Sequence, residues 1–264
     1  MKNTLLLLAT SLLALPSSAL ATDDEDPRVW LRLELGIQSV KFDYMTWDGV
    51  YNGLQTDQQH SSIAPQVTLG VLFDSSVPFW SLGANLGVSR QEMYLEAATG
   101  TLNVPIPGGT ASFDKTVEGD LNADIVTLEL VNLFHFDIGG FRGGLLAGPG
   151  LMTVQTELWR REYVSGPGMQ NVVEQTSSAL RIYPYMRLGI EPSYLIAGVV
   201  RVGVYAGVEV LFSEPDLLYR STDIWHEEPD GQGGTVMVTD SQGAVSLEFL
   251  QPLLQGGLMV SVPF

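Results

Sequence analysis

The sequence contains no cysteine and carries little positive charge. Disulfides commonly support exported proteins, so without cysteine the fold must draw its stability from another source. Only 13 Lys and Arg stand against 30 Asp and Glu, which gives a formal net charge of −17. Phosphate binding needs a basic face, so this balance argues against nucleic acid as a partner. It also argues against charge-driven docking onto an anionic membrane surface.

Hydrophobic residues nevertheless make up 45% of the chain, and the mean hydropathy is +0.16. A high apolar content and a large acidic excess are compatible only if the two kinds of residue occupy separate segments. The distribution of both along the chain therefore decides the fold class.

The N-terminus has the pattern of a cleaved signal peptide. Met1-Lys2-Asn3 is followed by an apolar run from Leu5 to Leu15 and by the small residues Ala19-Leu20-Ala21. The run is too short to span a bilayer as a helix, which takes about 20 apolar residues. We expect a signal peptide over residues 1–21 and one barrel or sandwich domain over residues 22–264.

Eight segments of the remaining chain alternate apolar and polar residues, which is typical of strands with one apolar face. In the clearest of them, Leu180, Ile182 and Leu188 alternate with Arg181 and Arg187. The eight segments are 29–38, 63–73, 80–89, 126–136, 141–153, 180–191, 200–210 and 254–264.

The connections between these segments alternate in length. Residues 74–79, 137–140 and 191–198 are short connections, whereas 39–62, 90–122, 155–178 and 212–243 are long and hold much of the acidic charge. Short turns on one rim and long loops on the other are typical of an outer-membrane barrel. We therefore predict an all-β, membrane-spanning, antiparallel up-and-down β-barrel of eight strands, with long extracellular loops and short periplasmic turns. An extra hairpin from 235–239 and 244–249 would raise the count to ten, but we interpret it as strand extension above the membrane.

A soluble sandwich and a transmembrane helix are the alternatives. The polar face mixes Gly and Ser with Arg, Glu and Tyr, as a narrow lumen requires, and the opposite face is almost uniformly aliphatic. If 195–212 were a helix in lipid, Arg201 and Glu209 would each cost about 2.5–3.5 kcal/mol at its centre. Aromatic residues at strand ends further predict interfacial girdles; they are Trp30, Phe42, Tyr44, Trp80, Phe134, Phe136, Tyr194, Phe212 and Phe264.

The last ten residues resemble the C-terminal signature strand of bacterial outer-membrane barrels. Gly257, Val260, Val262 and Phe264 match that pattern, whereas Pro263 departs from it because proline removes a ladder donor. As a whole, the predicted domain resembles the small eight-stranded barrels of the OmpA/OmpX type. The resemblance implies an outer-membrane location, recognition by the barrel assembly machinery, and contact with outer-membrane lipid and lipopolysaccharide.

By parity the lumen should contain five arginines and four glutamates. They are Arg32, Glu34, Glu129, Arg142, Arg181, Arg187, Glu191, Arg201 and Glu209. An eight-stranded barrel is just wide enough for side chains to fill, and unpaired buried charges are costly. Two interpretations remain open: a salt-bridged plug that holds the barrel shape, or a narrow charge-lined path for ions and small solutes.

Enzyme activity requires a nucleophile beside a base, and the chain has only three histidines. Asp57, His60 and Ser62 are close in sequence, but such clusters are ordinary in polar loops, so we predict no catalytic residues. We also predict no metal centre and no cofactor. Divalent cations, which prefer oxygen ligands, are candidate partners of the acidic loops, where the densest group is Asp223, Glu227, Glu228 and Asp230.

The sequence thus supports three functional hypotheses in order. The first is a non-catalytic outer-membrane barrel with an envelope-structural or surface-interaction role through its acidic extracellular loops. The second is a porin-like narrow channel, and the third is a lipid-modifying outer-membrane enzyme.

Overall fold

The structure, a computed structural model, describes residues 29–49, 51–212, 217–221, 224–229, 235–240 and 243–264. The predicted signal peptide over residues 1–21 lies outside these ranges and stays a prediction. Within the described part of the chain, no helix has the length and apolar character needed to cross a membrane.

Strands account for nearly all of the described residues. Their bounds are β1 Val29–Asp48, β2 Gln55–Asp74, β3 Trp80–Ile106, β4 Gly109–Ile138, β5 Phe141–Gly166, β6 Met169–Ile196, β7 Val200–Leu211, β8 Leu217–Ser221, β9 Ile224–Pro229, β10 Thr235–Asp240 and β11 Gly243–Pro263.

Eight of these strands form a closed antiparallel ring. Strands β1 to β7 pair in sequence order, β11 pairs with β7, and β11 also pairs with β1 to close the ring. The predicted eight-stranded up-and-down barrel is therefore confirmed. Residues 244–249 extend β11 as predicted. The prediction is wrong for residues 235–239, which do not extend a barrel strand because β10 pairs with β9 in a separate two-stranded sheet.

The short connections lie where the sequence predicted them, but the long connections differ from the prediction. Residues 75–79, 139–140 and 197–199 join strands at one rim. The segments 39–62, 90–122 and 155–178, predicted as loops, are almost entirely strand. Strand β4 has 30 residues, whereas crossing a bilayer takes about 9–11 tilted residues. The barrel wall therefore continues far beyond the membrane and ends in hairpin turns, such as the one at Gly108, where φ is +98°.

The outer face of the ring carries an apolar belt around its short-turn half. On β4 this belt runs from Val126 to Ile138, and similar exposed apolar residues cover the neighbouring strands. Apolar side chains outside and paired charges inside are the organisation that lipid imposes on a closed sheet. The protein is thus a barrel of the outer membrane, with the short turns at the periplasmic rim.

The predicted aromatic girdles need a partial correction. Phe134, Phe136, Tyr194, Phe212 and Phe264 are exposed on the outer face. Trp30, Phe42 and Tyr44 are instead buried inside the barrel, because they share the inward parity of β1 with Arg32 and Glu34.

Above the membrane the barrel wall separates into two facing sheets. The β2–β3 ladder ends at Gln66 and Ser89, and the β6–β7 ladder ends at Tyr185 and Leu211. Beyond these points, one sheet has the order β2–β1–β11–β8 and the other β3–β4–β5–β6. An apolar layer fills the space between them, with Val40, Phe42 and Phe249 on one side and Leu121, Val154 and Tyr183 on the other. The extracellular part is thus organised as a β-sandwich.

Candidate functional site

Most of the predicted lumen charges meet in a central ion layer at membrane depth, formed by Arg32, Glu34, Glu129, Arg187, Glu191 and Glu209. Arg32 pairs with Glu34 and Glu191. Arg187 donates to Glu34 at 3.1 Å and to Glu129 at 3.2 Å, and its guanidinium lies 5.2 Å from the ring centroid of Tyr205. These side chains are almost completely buried, so the layer closes the lumen at this level.

Glu209 occupies a different position in the central ion layer. Its two oxygens accept hydrogen bonds from the Gln38 amide at 2.8 Å and the Gln255 amide at 3.1 Å. Among the described residues, no Arg or Lys nitrogen lies within ion-pair distance of it. The layer as a whole has two guanidiniums against four carboxylates, a formal excess of two negative charges. The amides of Gln38 and Gln255 stabilise this excess by hydrogen bonding, without adding a counter-charge.

Two more of the predicted arginines belong to a rim cluster at the periplasmic end, formed by Asp74, Asp137, Arg142 and Arg201. Arg142 binds Asp137 through two hydrogen bonds of 2.9 Å and reaches Asp74 at 3.3 Å. Arg201 lies 3.9 Å from Asp137 and stacks over Trp30 at 5.4 Å. The cluster has equal numbers of each charge and lies at the lower end of the lumen.

Arg181 is the predicted lumen residue that the structure does not place in a network. It is exposed, because β6 has passed the end of the β6–β7 ladder at Tyr185 and the wall beside it has separated. Among the described residues, its guanidinium donates a hydrogen bond to the backbone oxygen of Leu180, at 3.4 Å, and has no carboxylate partner. The assignment of Arg181 to the lumen is corrected on this ground.

A third group of buried charges, the upper ion cluster, lies inside the extracellular sandwich and was missed by the sequence analysis. Lys115 contacts Asp48 at 2.9 Å and Glu162 at 2.8 Å, and Arg160 also pairs with Glu162. Burial lowers the pKa of Lys115, and the neighbouring Asp48 carboxylate opposes that shift. Lys115 and Arg160 fall in segments that were predicted as loops, so strand parity was not applied to them.

The candidate catalytic group of the sequence does not assemble. His60 and Ser62 point inward on β2, whereas Asp57 points outward. The His60 ring contacts Gln58 at 2.8 Å, and Ser62 donates to the backbone oxygen of Glu92 at 3.4 Å. A carboxylate on the opposite face of the strand cannot orient the imidazole, so these three residues lack the geometry of a triad.

Another serine–histidine pair, Ser81 and His135, lies inside the periplasmic rim and was not singled out from the sequence. Ser81 Oγ is 2.9 Å from His135 Nε2, and His135 Nδ1 is 3.4 Å from Asp137. Ser81 Oγ also lies 2.5 Å from an Asp74 oxygen. The hydroxyl has one proton, and when it donates that proton to Asp74, His135 must donate to Ser81 and cannot act as its base. Ser81 is fully buried, so the pair behaves as part of the rim cluster.

The acidic group predicted to attract divalent cations lies outside the described part of the structure. This holds for all of Asp223 and Asp230, and for the side chains of Glu227 and Glu228. On the described outer surface, Asp43 stands opposite Glu248 and near Asp57. Partial burial, followed by the charge of Asp57, raises the pKa of Asp43. Within the described ranges, no cluster of carboxylates and histidines has metal-ligand geometry.

The C-terminal strand pairs to its end despite Pro263. Trp30 stands opposite Pro263, and the backbone N–H of Phe264 donates to Val29 O at 2.9 Å. Gly257 faces Gly36 across the β1–β11 closure, where a Cβ at Gly257 would lie 2.3 Å from Leu35 O. The Gly257 position thus has a packing requirement of its own at the point where the ring closes.

Comparisons with known proteins find similar solved structures but no matching family. No protein-family model and no curated protein sequence matches this chain. Among solved structures, the chain is similar to the outer membrane protease OmpT of Escherichia coli (11% identity, TM-score 0.38, 93% of this chain and 99% of that one). It is also similar to Ail, the attachment invasion locus protein of Yersinia pestis (10%, 0.30, 89% and 99%). A third similar structure is Neisserial surface protein A (10%, 0.26, 87% and 97%).

These identities and TM-scores are too low to carry an argument about activity. The chain's own topology and apolar belt carry the conclusion about its class: the protein is a small, eight-stranded outer-membrane β-barrel.

Proposed function

We propose that the barrel is a non-conducting, non-catalytic outer-membrane protein that presents its extracellular β-sandwich as a structural and interacting surface. The observation that carries this proposal is the filled interior. From the periplasm outward, a charged rim cluster, a central ion layer, an apolar layer and an upper ion cluster follow one another inside the wall. A solute that crossed the barrel would have to displace three layers of charged side chains and one apolar layer, one after another.

The outer face of the β3–β6 sheet is the surface that we propose for interaction. Its outward positions carry eight carboxylates against the two guanidiniums of Arg90 and Arg161; they are Glu92, Glu96, Asp114, Glu118, Asp120, Asp124, Glu157 and Glu174. Tyr94 and Trp159 flank Asp120 across the ladders, and Tyr94 is 59% exposed. Such a face favours a partner with a basic surface, bound more weakly as salt increases.

Conductance of the purified, heat-modifiable protein in a planar bilayer tests the proposal. We expect folded protein that stays electrically silent, both as wild type and as Arg187→Ala. Stable conductance that changes in Arg187→Ala would contradict the proposal and favour the narrow channel. Hydrolysis of a lipid or peptide substrate that is lost on Ser62→Ala or Ser81→Ala would contradict it in favour of an enzyme.

We further propose that lipopolysaccharide and divalent cations contact the acidic side chains on the extracellular side of the apolar belt. We also propose that the barrel assembly machinery recognises the C-terminal strand through Gly257, Val260, Val262 and Phe264. A rise in thermal stability with Mg²⁺ in lipopolysaccharide-containing vesicles supports the former contact. An unchanged midpoint would contradict it.

A further inference from the structure

An apolar groove lies on the lipid-facing surface at the periplasmic rim, where β4, β5 and β6 approach their turns. Its volume is about 450 Å³, which is within the range of about 300–1,000 Å³ that is usual for ligand pockets. The lining side chains are aromatic on one side and aliphatic on the other: Phe79, Phe134 and Phe136 face Leu145, Ile190 and Pro192.

A glycine creates this groove. Gly143 occupies an outward position of β5, between Phe136 on β4 and Pro192 on β6. A Cβ at Gly143 would lie 2.4 Å from the Phe136 ring, so that ring can rest on the strand only because glycine has no side chain. By letting the Phe136 ring lie against β5, Gly143 shapes the aromatic side of the groove.

The rim end of the groove is bordered by a side chain with a polar tip. Tyr194 follows Pro192 on the same face of β6, is 57% exposed, and packs its ring on Gly140. Tyrosine is favoured at membrane interfaces because its ring is apolar and its hydroxyl needs a polar partner. A polar side chain therefore stands near the rim end of a groove whose own lining is almost entirely apolar.

We propose that this groove binds one acyl chain of a glycerophospholipid of the periplasmic leaflet, with the headgroup beside Tyr194. The lining offers almost no polar group, so it selects an apolar ligand. The groove is continuous with the lipid-facing belt, so a chain can enter it sideways without leaving the bilayer. Its position at the short-turn rim assigns the ligand to the periplasmic leaflet.

Native mass spectrometry of the barrel, after reconstitution in phosphatidylethanolamine vesicles and mild detergent extraction, tests this proposal. We expect one phosphatidylethanolamine to remain bound per barrel. Leu145→Phe on β5 and Ile190→Phe on β6 each fill the groove from its aliphatic side, and each should lower retention at least tenfold. The matched control is Leu128→Phe, the same kind of change at a lipid-facing position that is 55% exposed and outside the groove.

Heat-modifiable migration on gels verifies that each variant folds. If one of the two groove variants does not fold, the other still tests the proposal. Equal retention by the groove variants and the control would overturn the proposal, because it indicates ordinary surrounding lipid. Retention of lipopolysaccharide in preference to phosphatidylethanolamine would overturn it as well. Trp80, which stands opposite Phe134 across the β3–β4 ladder, gives a second readout. In a variant that keeps Trp80 as its single tryptophan, its fluorescence should be quenched by brominated acyl chains, and less so after Leu145→Phe.

Discussion

Replacing Arg187 by methionine probes the central ion layer directly. The guanidinium holds Glu34 at 3.1 Å and Glu129 at 3.2 Å, and the side chain is 3% exposed. Methionine is apolar and leaves Glu129 without a paired cation among the described residues, while Glu34 keeps only Arg32. Removing one partner of a buried ion pair costs about 3–5 kcal/mol, since the remaining charge stays buried and uncompensated. We expect the free energy of unfolding to fall by that amount.

Urea unfolding in phospholipid vesicles, followed by tryptophan fluorescence and heat-modifiable gel migration, measures this change. Arg161→Met is the matched control. Arg161 also has two carboxylate neighbours, Glu118 at 3.8 Å and Glu174 at 3.5 Å, but it lies on the outer surface with a side chain that is 38% exposed. Exposed pairs contribute about 0–1 kcal/mol. The same substitution should therefore have a much smaller effect there.

A second substitution separates loss of pairing from loss of packing. Glu129→Gln in the Arg187→Met background removes the stranded charge and should restore part of the lost stability, whereas Glu129→Gln alone should destabilise. A loss in Arg187→Met no larger than in Arg161→Met would refute the reasoning, because it would mean that the central ion layer is hydrated. An open, hydrated layer would also reopen the channel hypothesis.

Three further outcomes follow from the charges and the closure. Glu34→Gln should lower the free energy of unfolding by about 3–5 kcal/mol because Glu34 bridges two arginines. Glu209→Gln should not lower it, because the Gln255 amide can rotate so that its oxygen, which has no partner among the described residues, accepts a hydrogen bond from the new amide. Both are measured by urea unfolding. The pKa of Asp43 is raised, so its carboxylate destabilises the fold when it is ionised. Asp43→Asn should therefore stabilise the protein at pH 7, by less than about 1 kcal/mol, and the gain should be smaller at pH 4, where the carboxyl is partly protonated. Thermal midpoints at the two pH values measure this. Gly257→Ala crowds the Leu35 and Gly36 backbone and should cost about 1–3 kcal/mol, whereas Gly109→Ala, with nothing within 4 Å, should change little in the same unfolding assay.

The membrane-spanning half could be predicted from the sequence because lipid enforces a strict alternation. On β4, Val126, Leu128 and Leu130 point outward, and Thr127 and Glu129 point inward, as the period of two requires. Parity also placed Arg32, Arg187 and Glu191 inside. It could not give the axial level of each charge, so it did not separate the rim cluster from the central ion layer.

The extracellular half was missed because the alternation inverts at the outer edge of the belt. Ile125 points inward and Val126 outward, and Leu151 and Met152 form the same kind of doublet on β5. Above each doublet the apolar residues face the interior and the polar ones face water. A single fixed parity predicts that the strand ends at this inversion. The pairs of consecutive apolar residues are the signal that would have revealed the continuation.

The inversion also limits what the barrel can do. Where lipid lies outside, the interior contains ion pairs such as Arg187–Glu129; where water lies outside, an apolar layer with contacts such as Phe42–Phe249 at 5.3 Å separates the central ion layer from the upper ion cluster. Protonation of the carboxylates would loosen the ion layer but would not act on the apolar layer. A stimulus that opened both layers would have to act on two different kinds of contact, which agrees with the proposed role of the barrel as a non-conducting support for its extracellular surface.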